Sequence, residues 1–197
     1  MSRTDAGTLA REAQAWWRAL QPDPARGDPG DRAALAKLRR CGSVIDVLFE
    51  PAAQELARRC GARGDGALER IALVAGVLAH VRTDRPGLRV ARRIGPVDAS
   101  DRATALCKPI RFRRLLDMME FDDCLRGFRR LVALADAEMN VRDLAEAVFL
   151  WPRPEGRGSA AADRIRVRWV YEYWNAGEPE GETPSDQACD SVEELQS

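Results

Sequence analysis

Apolar residues recur in this chain at intervals of three and four, the spacing that places side chains on one side of an α-helix. The stretch from Thr8 to Leu20 is typical. Its apolar side is formed by Leu9, Ala13, Trp16, Trp17 and Leu20. No stretch shows the alternation of apolar and polar residues that a half-buried strand requires, and we find no internal repeat. The pattern therefore predicts an all-α fold.

Residues that start and stop helices divide this pattern into about eight to nine helices. Asp31 can cap a second helix, and Pro51 suits the first turn of a third. Asp65 begins a fourth helix with a continuous apolar face, which Pro86-Gly87 stops. In the second half of the chain Asn140 is placed to cap another helix.

The helices are expected to form two lobes. The stretch 85–109, which is interrupted by Gly95-Pro96, is the predicted boundary between them. We expect an N-terminal helical lobe at 1–95 and a C-terminal helical bundle at 96–177. The stretch 178–197 is acidic and is expected to be disordered.

The charge of the chain is unevenly distributed. Its 31 acidic and 31 basic residues balance, but seven of the acids lie in 178–197, which contains no base. Residues 1–177 therefore carry 31 bases against 24 acids, a net charge of +7. All the bases are arginine except Lys37 and Lys108. Because the planar guanidinium matches phosphate oxygens and stacks on bases, this bias favours a nucleic-acid partner.

Several protein classes are disfavoured by composition. No apolar run approaches the roughly 20 residues that span a bilayer, so no membrane association is expected. The first residues do not resemble a secretory signal, which predicts a cytoplasmic protein. The five cysteines are scattered without the paired spacing of a zinc or redox site.

The chain offers few residues for catalysis. Its single histidine, His80, is expected near a helix end and partly buried. Glu120, Asp122 and Asp123 lie close enough to suggest a cation site, but acids before a helix usually complement its dipole. We expect no enzyme activity, no metal and no cofactor.

Arginine clusters are the clearest candidate sites. On helices, arginines three or four residues apart project together, and like charges at that spacing are unfavourable unless an anion or acid lies between them. An alternative is that each cluster is solvated or pairs with nearby acids. The four basic clusters are Lys37/Arg39/Arg40, Arg89/Arg92/Arg93, Arg111/Arg113/Arg114 and Arg126/Arg129/Arg130.

The large aromatic residues at helical spacing are expected to belong to the core. They are Trp16, Trp17, Trp169, Tyr173 and Trp174.

Five sequence blocks occur in an order that resembles one known family. They are Trp16-Trp17, residues 34–40 (ALAKLRR), residues 111–116 (RFRRLL), residues 140–145 (NVRDLA) and residues 167–174 (VRWVYEYW). Together they are similar to the CasB family, the small subunit of the type I-E CRISPR Cascade surveillance complex. The resemblance covers about residues 8–176.

The resemblance implies a non-catalytic antiviral-defence protein with two helical lobes. Its implied partners are other Cascade subunits, a second copy of itself, the guide RNA filament, and the target and displaced DNA strands. In the family a basic face contacts DNA strands and stabilises the R-loop. R-loop formation replaces a DNA duplex by an RNA–DNA duplex of similar stability, so contacts to the backbone can decide whether it is favourable. The nucleic-acid-binding positions implied here are Lys37, Arg39, Arg40, Arg111, Arg113, Arg114, Arg126, Arg129, Arg130 and Arg142.

Two other functions remain open on the residues alone. One is a helical adaptor whose arginines dock acidic protein surfaces. The other is a hydrolase that uses the acids between Glu120 and Asp123 with a metal.

Overall fold

The computed structural model describes residues 3–25, 27–98, 100–153 and 159–174. Within these residues the chain forms ten α-helices, one 3-10 turn and one pair of two-residue strands, which confirms the all-α prediction. In the first half the helices are α1 (Arg3–Leu20), α2 (Arg32–Arg40), α3 (Val44–Phe49), α4 (Pro51–Arg59), α5 (Asp65–Leu78) and α6 (Val90–Ile94). In the second half they are α7 (Pro109–Leu116), α8 (Phe121–Leu134), α9 (Val141–Leu150) and α10 (Ala160–Trp174). The strands are β1 (Thr83–Asp84) and β2 (Glu138–Met139), and the 3-10 turn is Arg102–Thr104.

The predicted capping residues stand at the helix ends. The Asp31 side chain accepts a hydrogen bond from the Ala34 N–H at 2.8 Å at the start of α2. The Asn140 side chain accepts one from the Asp143 N–H at 3.0 Å at the start of α9. Pro51 occupies the first turn of α4. These local signals are therefore confirmed.

Two short helices and one helix end differ from the sequence prediction. The sequence did not predict α3, which begins with a capping box in which the Ser43 side chain accepts a hydrogen bond from the Asp46 N–H. It did not predict α6 either, which lies inside the stretch expected to separate the two lobes. The helix α5 ends at Leu78, well before Pro86-Gly87, so His80 lies just after this helix. Five and six residues after the helix ends, Thr83 and Asp84 pair with a distant strand.

The strand pair is parallel and joins the two halves of the chain. Thr83 pairs with Glu138, and Asp84 pairs with Met139. Strands of two residues are too short to show the alternation by which a sheet is recognised in a sequence. The turn before β2 places Ala137 at a φ of 61°.

The core is built around α5, whose residues 71–78 are all buried. This helix packs against α3, α4, α8 and α9, while α1 packs mainly against α9. Buried hydrophobic side chains from before and after residue 95 form one cluster. The predicted division into lobes at that position stays a prediction.

Aromatic residues fill the second half of the core. Trp151 meets Phe128 and Trp169 edge-on, with ring centroids 5.1 and 4.9 Å apart. The Tyr173 ring stacks on Phe112 at 4.2 Å, and its hydroxyl donates a hydrogen bond to the Cys107 carbonyl. The prediction that these aromatics are core residues is confirmed for Trp169 and Tyr173, and also for Trp16 and Trp17.

Trp174 departs from that prediction, because 36% of its surface is exposed. It lies at the last turn of α10, with the Arg102 guanidinium 5.4 Å from its ring centroid.

No helix in the described ranges is long and apolar enough to cross a bilayer. The acidic stretch 178–197 lies outside the described residues.

Candidate nucleic-acid interface

The interface begins at the contact between α7 and α8. In α7, Phe112 and Leu115 are buried, which leaves Arg111 and Arg114 exposed one turn apart. In α8, Phe128 and Leu131 are buried and Arg130 is exposed. The amphipathic pattern of each helix therefore turns its arginines outward, as the sequence predicts.

Three arginines from these two helices surround one cleft. Arg111, Arg114 and Arg130 all line a cleft of about 190 Å³ between α7 and α8. Within the described residues, no ion pair engages any of the three. The cleft therefore presents three cationic groups that form no ion pair with a carboxylate of the described residues.

The floor of the cleft is apolar. It is formed by Leu115, Met118, Leu131 and Leu134. Gly127 of α8 allows this packing, since a Cβ at that position would collide with the Met118 Sδ. A guanidinium rim over a methionine and leucine floor is thus the defining feature of the cleft.

Arg113 points to a different side of α7. It is exposed and lines a second groove of about 480 Å³, together with Ile110, Val170 and Trp174. The structure therefore separates Arg113 from the cleft that Arg111 and Arg114 share.

Arg126 forms an exposed ion pair. Its Nη2 lies 2.6 Å from the Asp123 Oδ1, and both side chains are more than half exposed. At about 100° per residue, Arg126 lies about 40° from Arg130 and about 60° from Arg129 around the helix axis, between the two. Arg126 thus lies on the solvent side of α8 beside the cleft, with its charge offset by Asp123.

Arg129 is committed to the fold. Its guanidinium donates to the carbonyl oxygens of Gly76 at 3.0 Å, Cys41 at 2.6 Å and Leu38 at 3.0 Å. Burial lowers the pKa of Arg129 from its ordinary value. All three nitrogens of this side chain donate inside the protein, so its guanidinium is anchored to the fold.

The end of α2 contains both exposed and engaged bases. Lys37 and Arg40 are exposed, whereas the Arg39 Nε donates to the Ala79 carbonyl at 2.6 Å. Burial, and secondly the charge of Arg82, lower the pKa of Arg39. Arg82 is exposed and is a basic residue of this region that the sequence analysis missed. It lies far along the chain from α2, so grouping arginines by sequence spacing could not find it.

The arginines around α6 serve internal ion pairs. Arg89 Nη1 lies 3.4 Å from the Asp143 Oδ1 and 3.3 Å from the Glu172 Oε1. Arg93 pairs with Glu138 at 3.3 Å. For Arg89 and Arg93, pairing with nearby acids is therefore the correct interpretation. Arg142 of α9 is exposed.

The residues considered for catalysis are also engaged in the fold. Burial, and then the charges of Arg129 and Arg39, lower the pKa of His80 to about 4. The Asp122 carboxylate accepts from the Val44 N–H at 2.8 Å, which ties α8 to α3. Among the described residues, no group of three or more histidine, cysteine or acidic side chains is arranged to hold a metal ion.

Comparisons with known proteins identify the family. The model of the family CRISPR-associated protein Cse2 matches residues 34–174. One chain in the crystal structure of E. coli Cascade bound to a PAM-containing dsDNA target has a similar fold, with a TM-score of 0.53 and 17% sequence identity. That match covers 81% of this chain and 95% of the other. No curated protein matches the sequence. Because the family match spans most of the chain and Cse2 is the CasB small subunit, this protein belongs to the Cse2 family and is a subunit of a CRISPR Cascade complex.

Proposed function

We propose that this chain is a non-catalytic Cascade subunit that holds nucleic-acid backbones and so stabilises the R-loop. The observation that carries the proposal is the cleft between α7 and α8, where Arg111, Arg114 and Arg130 meet without an ion pair from the described residues. Three cations around one cleft attract an anion more strongly than three isolated surface arginines.

The energetics of this arrangement favour a phosphate ligand. Arg111 and Arg114 are one turn apart on α7, and like charges at that spacing destabilise a helix by about 0.2–0.5 kcal/mol. A bound anion between them reverses the sign of this contribution. Contacts of this kind hold the backbone without reading its sequence. They suit R-loop formation, where base pairing supplies the specificity. Small contributions from backbone contacts can shift the equilibrium between the DNA duplex and the R-loop.

The proposed partners follow from the family and the structural match. The E. coli chain with this fold belongs to a complex bound to a dsDNA target. We place this chain beside other Cascade subunits, a second copy of itself and the guide RNA, in contact with target and displaced DNA, in the cytoplasm.

The geometry narrows the proposed set of contacts. Arg39 and Arg129 are left out because their side chains donate to backbone carbonyls of the protein. Arg82 joins the set because it is exposed near Arg39. The retained positions are Lys37, Arg40, Arg111, Arg113, Arg114, Arg126, Arg130 and Arg142.

The test compares two double variants in the assembled complex. Arg111→Ala with Arg114→Ala removes two bases from the cleft, whereas Arg58→Ala with Arg59→Ala removes two exposed bases of α4. The control is matched in net charge, but its arginines already pair with Glu55. Target-DNA retention is measured at several salt concentrations by gel shift.

The cleft variant is expected to retain target DNA less well without a change in the preferred sequence. Each lost phosphate contact flattens the log-log salt dependence by roughly 0.9 for duplex DNA and roughly 0.7 for single strands. Equal slopes for the cleft variant and the parent complex would refute the proposal. Loss of the subunit from the complex before DNA is added would instead favour the adaptor that docks acidic protein surfaces.

A further inference from the structure

The cleft between α7 and α8 contains more than an anion site requires. Its rim is charged, but its floor consists of Leu115, Met118, Leu131 and Leu134. A phosphate gains nothing from such a floor, because apolar side chains do not solvate it. The apolar part of the cleft therefore points to a second, uncharged component of the ligand.

A duplex cannot supply that component. Its phosphates lie outside and its bases are stacked and paired inside, so only the backbone reaches a shallow cleft on a protein surface. An unpaired strand presents both groups side by side, because its bases can be splayed out and placed on apolar or guanidinium surfaces.

We propose that the cleft receives one unstacked base of a single strand, with the adjoining phosphates on Arg111, Arg114 and Arg130. This inference rests on the proposed function and names the form of nucleic acid that the site binds: an unpaired strand, and one base of it at a time.

The size of the cleft fits a single ring system. Its volume of about 190 Å³ is below the roughly 300 Å³ at which pockets for whole drug-sized ligands begin. The Met118 thioether favours contact with an aromatic ring, and the guanidinium planes of the rim can stack on one. A flat base fits these surfaces better than an aliphatic side chain would.

The cleft does not read which base it holds. Among the described lining residues, the arginines are the only side chains with strong hydrogen-bonding groups, and they are oriented by the phosphates they bind. We therefore expect pyrimidine and purine strands of equal length to bind alike, apart from differences in their own stacking.

The decisive experiment uses the full chain at low salt, where phosphate contacts are strongest. Fluorescence anisotropy compares a short oligothymidine with an abasic strand of the same length and charge. Leu134→Trp fills the cleft without changing charge, and Ala133→Trp is the control, because Ala133 is exposed, neighbours Leu134 on α8 and does not line the cleft. Circular dichroism monitors the fold of each variant.

The parent chain is expected to bind oligothymidine about fivefold more tightly than the abasic strand, the lower end of what one stacked base contributes. Leu134→Trp should remove this preference and leave abasic binding unchanged, and Ala133→Trp should preserve it. Equal binding of both strands by the parent chain overturns the base site, as does a preference that survives in a folded Leu134→Trp variant.

The two proposals fail in different ways. If Arg111→Ala with Arg114→Ala weakens both strands equally and the parent shows no base preference, backbone binding stands and the base site is wrong. If these substitutions weaken neither strand, the cleft is not a nucleic-acid site and both proposals fall.

Discussion

Three arginines of α8 show how far the environment of a residue decides its role. Arg126, Arg129 and Arg130 lie within about one turn, yet one forms a surface ion pair, one donates to three carbonyls and one lines the open cleft. The sequence groups all three as one basic cluster. It cannot tell which one meets a neighbouring backbone, because the carbonyls of Leu38, Cys41 and Gly76 reach α8 only in the folded chain.

Replacing Arg129 is therefore expected to cost stability. Arg129→Ala should lower the free energy of unfolding by about 3 kcal/mol, since half-buried carbonyls lose charged donors worth roughly 1.5–3 kcal/mol each, and water recovers part of the loss. Arg126→Ala should change it by less than about 1 kcal/mol, because its ion pair is exposed. Urea unfolding of both variants provides the measurement. Similar values for the two would show that the Arg129 hydrogen bonds contribute little.

His80 makes stability depend on pH. Its pKa is about 4 in the fold and about 6.5 when unfolded, so the unfolded chain binds a proton first as the pH falls. Stability from neutral His80 is fully present above about pH 6.5 and is lost as the pH falls toward 4. In His80→Leu this loss should disappear, so that the stability of the variant relative to the parent rises steadily between pH 6.5 and 4. Urea unfolding at several pH values measures the difference, and a constant difference across that window contradicts the assignment.

At the scale of helices, α5 determines how the other elements pack. Its apolar face is evident from the sequence, but the requirement for a glycine at position 76 is not. A Cβ there would lie 2.8 Å from the Leu125 Cδ1 and 3.0 Å from the Val47 Cγ2. Gly76 thus lets α8 and α3 approach α5 closely, and this becomes visible only when all three helices are in place.

Two glycine substitutions in α5 should have opposite effects. Gly76→Ala is expected to destabilise the protein by about 1–3 kcal/mol, because overpacking outweighs the gain in helix propensity. Gly66→Ala should stabilise it by up to about 1 kcal/mol, because a Cβ there meets no atom within 4 Å. Thermal unfolding of both variants tests the pair. Stabilisation by both would mean that α3 and α8 shift easily to make room for a Cβ at position 76.

The helices that the sequence analysis missed are those whose signals are weakest. The helix α3 is too short for a periodic pattern, although Ser43 and Asp46 show the spacing of a capping box. The strand pair offers no local signal, since it depends on residue 83 meeting residue 138. Long periodic helices could be predicted because each carries its own pattern, and the short elements depend on partners far along the chain.

On the scale of the whole molecule, the basic surface combines residues that no single stretch contains. Arg111 and Arg114 could be predicted as neighbours from α7 alone. Their meeting with Arg130 depends on how α7 packs on α8, and the proximity of Arg82 to Arg39 depends on how α5 packs on α2. Sequence patterns identify the charged faces of helices, whereas the surface that a ligand meets is set by the packing of those helices.

The packing of α1 on α9 also bears on how the chain is made. During synthesis α1 emerges from the ribosome well before its main partner, Val141–Leu150, has been made. At roughly 5–20 residues per second, the apolar side of α1 waits on the order of ten seconds for that partner. Throughout this interval Trp16 and Trp17 lack part of their final burial, so the apolar side of α1 is open to aggregation or chaperone binding.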